Sequence, residues 1–288
     1  MNKGTVPPDT IIIPHASGAS NNAARAPVSV IIPCYCCSET IGRALASIAA
    51  QTMLPHEVIL VEDASPDDGK TLDALHKLAN EYGDLLAVGV IALKQNGGPA
   101  YARNRGWETA TQPWLAFLDA DDAWHPRKLE IQWTWLESHP EVALCGHASR
   151  LSSGRIDLPV EDALHAIRLS AGQMLVSNRL ITRSVMLRRD LPFRFSDKRF
   201  SEDYLLWLEI IYAGYPAYRL DAPLAFCFRP DFSPGGLSGK LWEHEKGEIS
   251  VLHSLYKAGK MGMGVFILAA SWSYVKFLRR QWLMRRMR

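Results

Sequence analysis

Three carboxylates crowd the end of one apolar run, where Leu115-Ala116-Phe117-Leu118 leads into Asp119-Ala120-Asp121-Asp122. Like charges about 4 Å apart repel by roughly 4 kcal/mol at an effective dielectric near 20. Acids held together in this way call for a bound cation, a proton or intervening solvent. Hard divalent ions such as Mg²⁺ and Mn²⁺ take carboxylate oxygens, and the run looks like a site. Two more acidic pairs stand elsewhere: Glu62-Asp63 closes an apolar run, and Glu202-Asp203 opens an apolar helical pattern. One carboxylate within about 3 Å of a hydroxyl can take its proton during bond formation.

These groups must be positioned by the elements around them. Residues 28–32 form a β-branched run ended by Pro33, and residues 39–51 carry Ile41, Leu45 and Ile48 at helical spacing after Ser38, a residue type that favours helix caps. Strands are expected at 58–61, 88–93 and 114–118, and helices at 71–82 and 99–109. Such alternation predicts βαβ units and a mostly parallel central sheet flanked by helices. Ligands bind such sheets beyond the carboxyl ends of the strands, so Pro33-Cys34-Tyr35, Glu62-Asp63 and Asp119 to Asp122 share one rim. Farther on, strands are expected at 142–147, 181–187, 217–220 and 224–229, a helix from Ser201 to near Gly214, and a loop at 230–239.

The chain of 288 residues is large enough for a well-buried core. Three parts are expected: a disordered leader over 1–26, an α/β domain over 27–240, and C-terminal helices over 241–288. The net charge is +2, yet eight cations and no acid follow Glu248, which leaves residues 1–248 at −6. Nucleic acid would need basic residues mixed with aromatics along a groove, and only the tail offers them. The five cysteines form no repeated metal-ligand pattern and read as reduced thiols of a cytosolic protein. The short run Ile11-Ile12-Ile13, ended by Pro14, is no secretion signal. The first strand is followed by Pro33-Cys34-Tyr35 rather than G-x-G-x-x-G, which argues against a dinucleotide oxidoreductase.

Five segments in order resemble the family 2 glycosyltransferases of GT-A fold: Ser29-Val30-Ile31-Ile32-Pro33-Cys34-Tyr35, Val61-Glu62-Asp63-Ala64-Ser65-Pro66-Asp67, Asn96 to Gly106 with Ala102-Arg103-Asn104, Leu118 to Asp122 with Pro126 and Leu129, and Glu202-Asp203-Tyr204 with Trp207. The resemblance implies an inverting, metal-dependent enzyme of the bacterial polysaccharide-biosynthesis type. It would move a sugar from a nucleoside-diphosphate donor, a UDP-sugar by preference, to a saccharide or lipid-linked oligosaccharide. Pro33 and Tyr35 would line the base, Asp63 would accept from its ring N–H, and Glu62, Arg103 and Ala120 would lie near the nucleotide. Asp119 would touch ribose or metal, Asp121 would bind Mg²⁺ or Mn²⁺, and Asp203 would be the general base. Trp124, Glu202 and Trp207 are candidates for acceptor contact, although tryptophans are more often core than sugar-stacking platforms. Two positions depart from the pattern: Glu62 replaces an aspartate, and no His stands in 228–238, where Asp231 or Arg229 is the candidate substitute.

Plain alternatives exist for several of these residues. Asp122 could cap a helix starting near Pro126, Glu202-Asp203 could serve only the helix dipole, Asp63 could be a turn residue, and Arg103 could pair with Glu108 on the surface. The uncharged stretch 261–275 is short of the roughly 20 residues that a membrane span needs. With Trp272, Trp282 and six cations from Lys276 onward, it reads as an interfacial helix at the inner face of the cell membrane. The alternatives there are a docking helix or an oligomer contact. Rival functions are transfer to a polyprenyl phosphate and a catalytically silent nucleotide-sugar scaffold.

Overall fold

The computed structural model describes residues 10–12, 25–152, 154, 156, 160, 164–229 and 241–286. The expected alternation is present as β2 (Arg25–Cys34), α1 (Ile41–Ala49), β3 (Leu54–Glu62), α2 (Lys70–Tyr82), β4 (Val88–Ala92), α3 (Gly98–Thr109) and β5 (Trp114–Phe117). Thr10–Ile12 form β1, antiparallel to β4. The rest of residues 1–24 and the loop expected at 230–239, Asp231 included, lie outside the described residues.

After β5 come β6 (Ala123–Trp124), α4 (Lys128–Glu137), β7 (Leu144–Leu151), β8 (Ala166–Arg168), α5 (Ala171–Val176), a 3-10 turn (Thr182–Ser184), β9 (Met186–Arg188), α6 (Glu202–Tyr212) and β10 (Ala217–Cys227). The sheet order is β1-β4-β3-β2-β5-β9-β7-β10-β6, with β8 also on β10. Strands β2 to β5 are mutually parallel, as are β7 and β10, whereas β9 runs against both β5 and β7. The mostly parallel α/β architecture expected from the alternation is thus the observed one.

Both faces of the central strands are buried, and side chains alternate between two cores. Val30 and Ile32 join Leu45, Leu75 and Leu129 on one face, while Ile31 joins Trp107, Phe117 and Trp207 on the other. Helix α3 lies so close to β2 that a Cβ on Gly106 would come within 2.5 Å of Ile31 Cγ2.

Two expectations are corrected. Residues 181–187 are not one strand, because Ser184 turns back on Ile181 through its Oγ (2.7 Å) and its N–H (2.8 Å). Hydroxyl-to-backbone bonds of this kind compete with ladder pairing, and only Met186–Arg188 remains extended. Conversely, the two strands expected at 217–229 are one, β10, whose pairing with β7 shifts register around Pro223. Proline has no N–H for the ladder, so an irregularity is its usual place in a strand.

Helices α7 (Leu241–Lys257) and α8 (Met263–Arg286) complete the described chain. Glu248 on α7 draws α8 in, accepting from Ser273 Oγ at 2.8 Å and pairing with Lys276 and Arg280 at 3.3 Å each. Among the described side chains of the tail, Lys276 and Arg280 are therefore engaged within the protein. The outer face of α8 exposes Ile267, Leu268, Val275 and Leu278. No helix among the described residues is long and apolar enough to cross a membrane.

Candidate active site

The ends of β2, β3 and β5, the β4–α3 turn, the 3-10 turn and the start of α6 meet at the carboxyl edge of the parallel strands. The Asp63 N–H donates to the Cys34 carbonyl (2.9 Å) and the Leu93 N–H to the Glu62 carbonyl (2.9 Å), which holds three strand ends together. Pro33 is half-buried at the end of β2, and Tyr35 beyond it is 50% exposed.

Glu62 caps its own turn, accepting from the N–H groups of Ser65 (2.7 Å) and Ala64 (3.1 Å). Ala64 there sits at φ 49°, a left-handed conformation disfavoured for a residue with a Cβ. Asp63 is 2% exposed. Its Oδ1 accepts from Gly97 N–H and its Oδ2 from Gly98 N–H, both at 2.8 Å, and Asn96 Nδ2 adds a third bond at 3.0 Å. Its carboxylate ties down the turn that starts α3. Burial raises the Asp63 pKa against these bonds.

Arg103 is the hub of the rim. It is not the surface partner of Glu108, a place taken by Arg105. Its guanidinium, 7% exposed, donates to Asp119 Oδ1 at 2.7 Å and to Glu202 Oε1 at 3.0 Å, so it joins the end of β5 to the start of α6. Burial works against its charge, but the Asp119 and Glu202 carboxylates hold it firmly protonated. Burial, reinforced by Asp203, pushes the Glu202 carboxyl up to about 7 despite its Arg103 partner.

The three acids after β5 have separate fates. Asp122 is buried and accepts from Arg183 at 2.6 Å. It does not cap α4, which starts at Lys128 with no side-chain cap. Burial and the neighbouring Asp119 raise its carboxyl to about 7, while Arg183 opposes them. Asp119 is half-exposed and tied to Arg103, and buried Ala120 separates it from Asp121. Asp121 is half-exposed; its backbone carbonyl accepts from Arg43 at 2.6 Å, and its carboxylate has no hydrogen-bond or ion-pair partner among the described residues.

No group of three or more His, Cys, Asp or Glu converges on one point among the described residues. Two hard carboxylates on the rim, one without a partner among the described residues, are of the type that would hold a Mg²⁺ or Mn²⁺. Arg229, a sequence candidate for the absent His, is exposed just past β10.

At the start of α6, Asp203 is half-buried, with Oδ2 accepting from Thr182 Oγ1 at 2.8 Å. Trp124 and Trp207 are both 0% exposed, so neither presents a face to a sugar. Trp124 instead donates from Nε1 to the Arg183 carbonyl (2.8 Å) and carries Lys128 Nζ over its ring at 3.8 Å. Neither Thr182 nor Arg183 stood out in the sequence, because each meets an acid far along the chain with no local spacing to mark it. A groove of about 550 Å³ lined by Trp114, Trp133 and Arg188 lies at the opposite edge of the strands, away from these acids.

Comparison with known proteins identifies the family. The model of the family described as Glycosyl transferase family 2 matches residues 29–184. Over 189 residues, 63% of this chain and 68% of the relative, the chain is 30% identical to the amylovoran biosynthesis glycosyltransferase AmsE of Erwinia amylovora. Over 202 residues, 66% of this chain and 72% of the relative, it is 30% identical to WfaP of Escherichia coli, a UDP-Glc:alpha-D-GlcNAc-diphosphoundecaprenol beta-1,3-glucosyltransferase. The mannosyltransferase PcManGT of Pyrobaculum calidifontis, solved with GDP-Man and Mn²⁺, shares the fold with a TM-score of 0.62 at 19% identity, over 88% of this chain and 76% of that one. With the model match spanning more than half of the chain and a rim of acids at the strand ends, this enzyme belongs to glycosyltransferase family 2.

Proposed function

We propose that this glycosyltransferase moves a sugar from a UDP-sugar to a saccharide or lipid-linked oligosaccharide, with inversion, in the synthesis of a surface polysaccharide. The observation that carries the reading is the Arg103 bridge, which brings the Asp119 strand end and the Glu202-Asp203 helix start to one place. The names of AmsE and WfaP support the polysaccharide and lipid-linked context, and WfaP supports UDP. Tyr35 and Pro33 would flank the base. Asp63 would act on the nucleotide chiefly by holding the turn 96–98 in place. Asp121, with Asp119, would hold a Mg²⁺ or Mn²⁺, which when bound offsets the charge growing on the departing diphosphate. Asp203 takes the proton of the acceptor hydroxyl as its oxygen bonds to the anomeric carbon, and the nucleoside diphosphate leaves with the bonding pair. A single displacement with one base inverts that carbon.

Calorimetric titration of UDP and of GDP, each with and without Mn²⁺, tests the donor site, and UDP-sugar and acceptor screens follow. Metal-dependent UDP binding, absent from Asp121→Ala, is the expected result. Nucleotide binding with no turnover in the screens would turn the reading to a silent scaffold, and no nucleotide binding under any condition would remove the donor site. The apolar outer face of α8, beside exposed Arg279, supports peripheral contact with an anionic leaflet at the cytoplasmic face. Leu268→Glu with Leu278→Glu should abolish co-sedimentation with phosphatidylglycerol vesicles, and unchanged sedimentation would remove that contact.

A further inference from the structure

Two adjacent residues of the 3-10 turn reach the two halves of the site. Thr182, 6% exposed, donates from Oγ1 to Asp203 Oδ2 at 2.8 Å. Arg183 points the other way, from NH1 to Asp122 Oδ2 at 2.6 Å and from Nε to Ser149 Oγ at 3.2 Å. The turn itself is clamped from outside: Trp124 Nε1 donates to the Arg183 carbonyl at 2.8 Å, and Gln132 Nε2 to the Ser184 carbonyl at 3.1 Å. Both clamping side chains are fully buried. The Thr182 hydroxyl is therefore set by groups that also seat the acids after β5.

Asp203 needs such a partner. An aspartate carboxylate turns readily about its last torsion, and a base must place one oxygen within about 3 Å of the hydroxyl it serves. Its Oδ1 accepts from the Tyr204 N–H at 2.7 Å. With Thr182 on Oδ2 both oxygens are fixed, and each keeps a second lone pair. We propose that Thr182 is a positioning residue that orients the Asp203 carboxylate toward the acceptor hydroxyl, and that the Arg183–Asp122 pair sets its place relative to the donor acids. The inference rests on Asp203 being the base.

The test uses the full chain with the UDP-sugar and acceptor pair found in the screen, beside UDP and Mn²⁺ calorimetry. Thr182→Val keeps the shape and loses the hydroxyl, whereas Thr182→Ser keeps the hydroxyl. Misplacement of a reacting group by about 1 Å can cost on the order of 10²-fold in rate. Thr182→Val should therefore lower kcat by roughly 10- to 100-fold with UDP affinity unchanged, and Thr182→Ser should recover to within about threefold of the parent. Equal kcat for Thr182→Val and parent, with Asp203→Asn inactive, overturns the positioning role alone. Equal loss in the Val and Ser variants also overturns it, because packing then explains the effect. Parental kcat in Asp203→Asn would instead overturn the assignment of the base.

Discussion

Replacing Arg103 with Met removes the guanidinium while keeping most of the side-chain volume against Phe195, whose ring centroid lies 5.5 Å from the Arg103 Cζ. Two carboxylates then face each other across an apolar side chain: Asp119, 29% exposed, and Glu202, 11% exposed. Breaking a buried pair by removing one partner costs about 3–5 kcal/mol, because the other charge is left uncompensated. At roughly 2 °C per kcal/mol for a chain of this size, the melting temperature should fall by about 6–10 °C at pH 8. The loss should depend on pH. Glu202 has a folded pKa of about 7 against an ordinary 4.5, so its ionisation already weakens the parent fold as pH rises from the lower value to the upper. Without Arg103 the folded value climbs further, and the weakening continues above pH 7 where the parent has levelled off. Below about pH 6 Glu202 is mostly protonated in both proteins, and the gap narrows. Urea unfolding at pH 5.5, 7 and 8.5 measures this gap. A loss under about 1 kcal/mol at pH 8.5, or one of equal size at pH 5.5 and 8.5, would refute the bridge as a stabilising charge pair.

Three other substitutions probe the scaffold around the rim. Lys128 is 0% exposed; its Nζ lies over the Trp124 ring but has no hydrogen-bond partner among the described residues, and burial holds its pKa well below 10.5. Lys128→Met should stabilise the protein by roughly 1–3 kcal/mol at pH 7. Because the unfolded chain keeps the proton up to 10.5, the gain should shrink as pH rises toward that value; a constant gain in urea melts at pH 7 and 10 would count against it. Gly106→Ala places a methyl 2.5 Å from Ile31 Cγ2 and should cost about 1–3 kcal/mol. Ile31→Val in the same chain should restore part of that loss, and simple additivity in thermal melts would contradict the contact. Asp63→Asn turns an NH₂ toward one of the N–H donors of Gly97 and Gly98, with an expected cost of about 1–3 kcal/mol. Faster amide exchange at 97 and 98 should accompany it, and unchanged exchange would show that Asp63 does not hold the turn.

The legible parts of this protein were those written in consecutive residues. Strand ends carry their polar groups beside their apolar runs, so the shared rim of Tyr35, Asp63 and Asp119 to Asp122 followed from alternation and from the rule for parallel sheets. What joins these groups is written in pairs far apart. Arg103 meets Glu202 across 99 positions, and Arg183 meets Asp122 across 61. No periodicity records such pairs, and Glu108, five positions from Arg103, offered it a nearer partner that Arg105 takes instead. The tryptophans show the opposite failure. Trp124 stands two positions after Asp122 and Trp207 one turn beyond Asp203, so both were acceptor candidates beside the core reading, and β6 and α6 turn them into the cores. The break at 181–187 was hidden because Ile181, Val185 and Leu187 alternate like a strand while Ser184 closes the turn.

The distribution of guanidinium groups shows how five clustered acids are tolerated. Arg103 takes Asp119 and Glu202, and Arg183 takes Asp122, so the two acids without an ion pair among the described residues are Asp121 and Asp203. Those two are half-exposed, while Asp122 and Glu202 are the buried ones raised to about 7. Burial and pairing thus fall together on Asp122 and Glu202, Asp119 is half-exposed and paired, and Asp121 and Asp203 keep solvent access without an ion pair. The unpaired carboxylate of Asp121 costs stability in isolation through its neighbours Asp119 and Asp122, and a divalent ion bound there would relieve that cost. Added Mn²⁺ should therefore raise the melting temperature of the parent and leave Asp121→Ala unmoved; an equal rise in both would place the ion elsewhere.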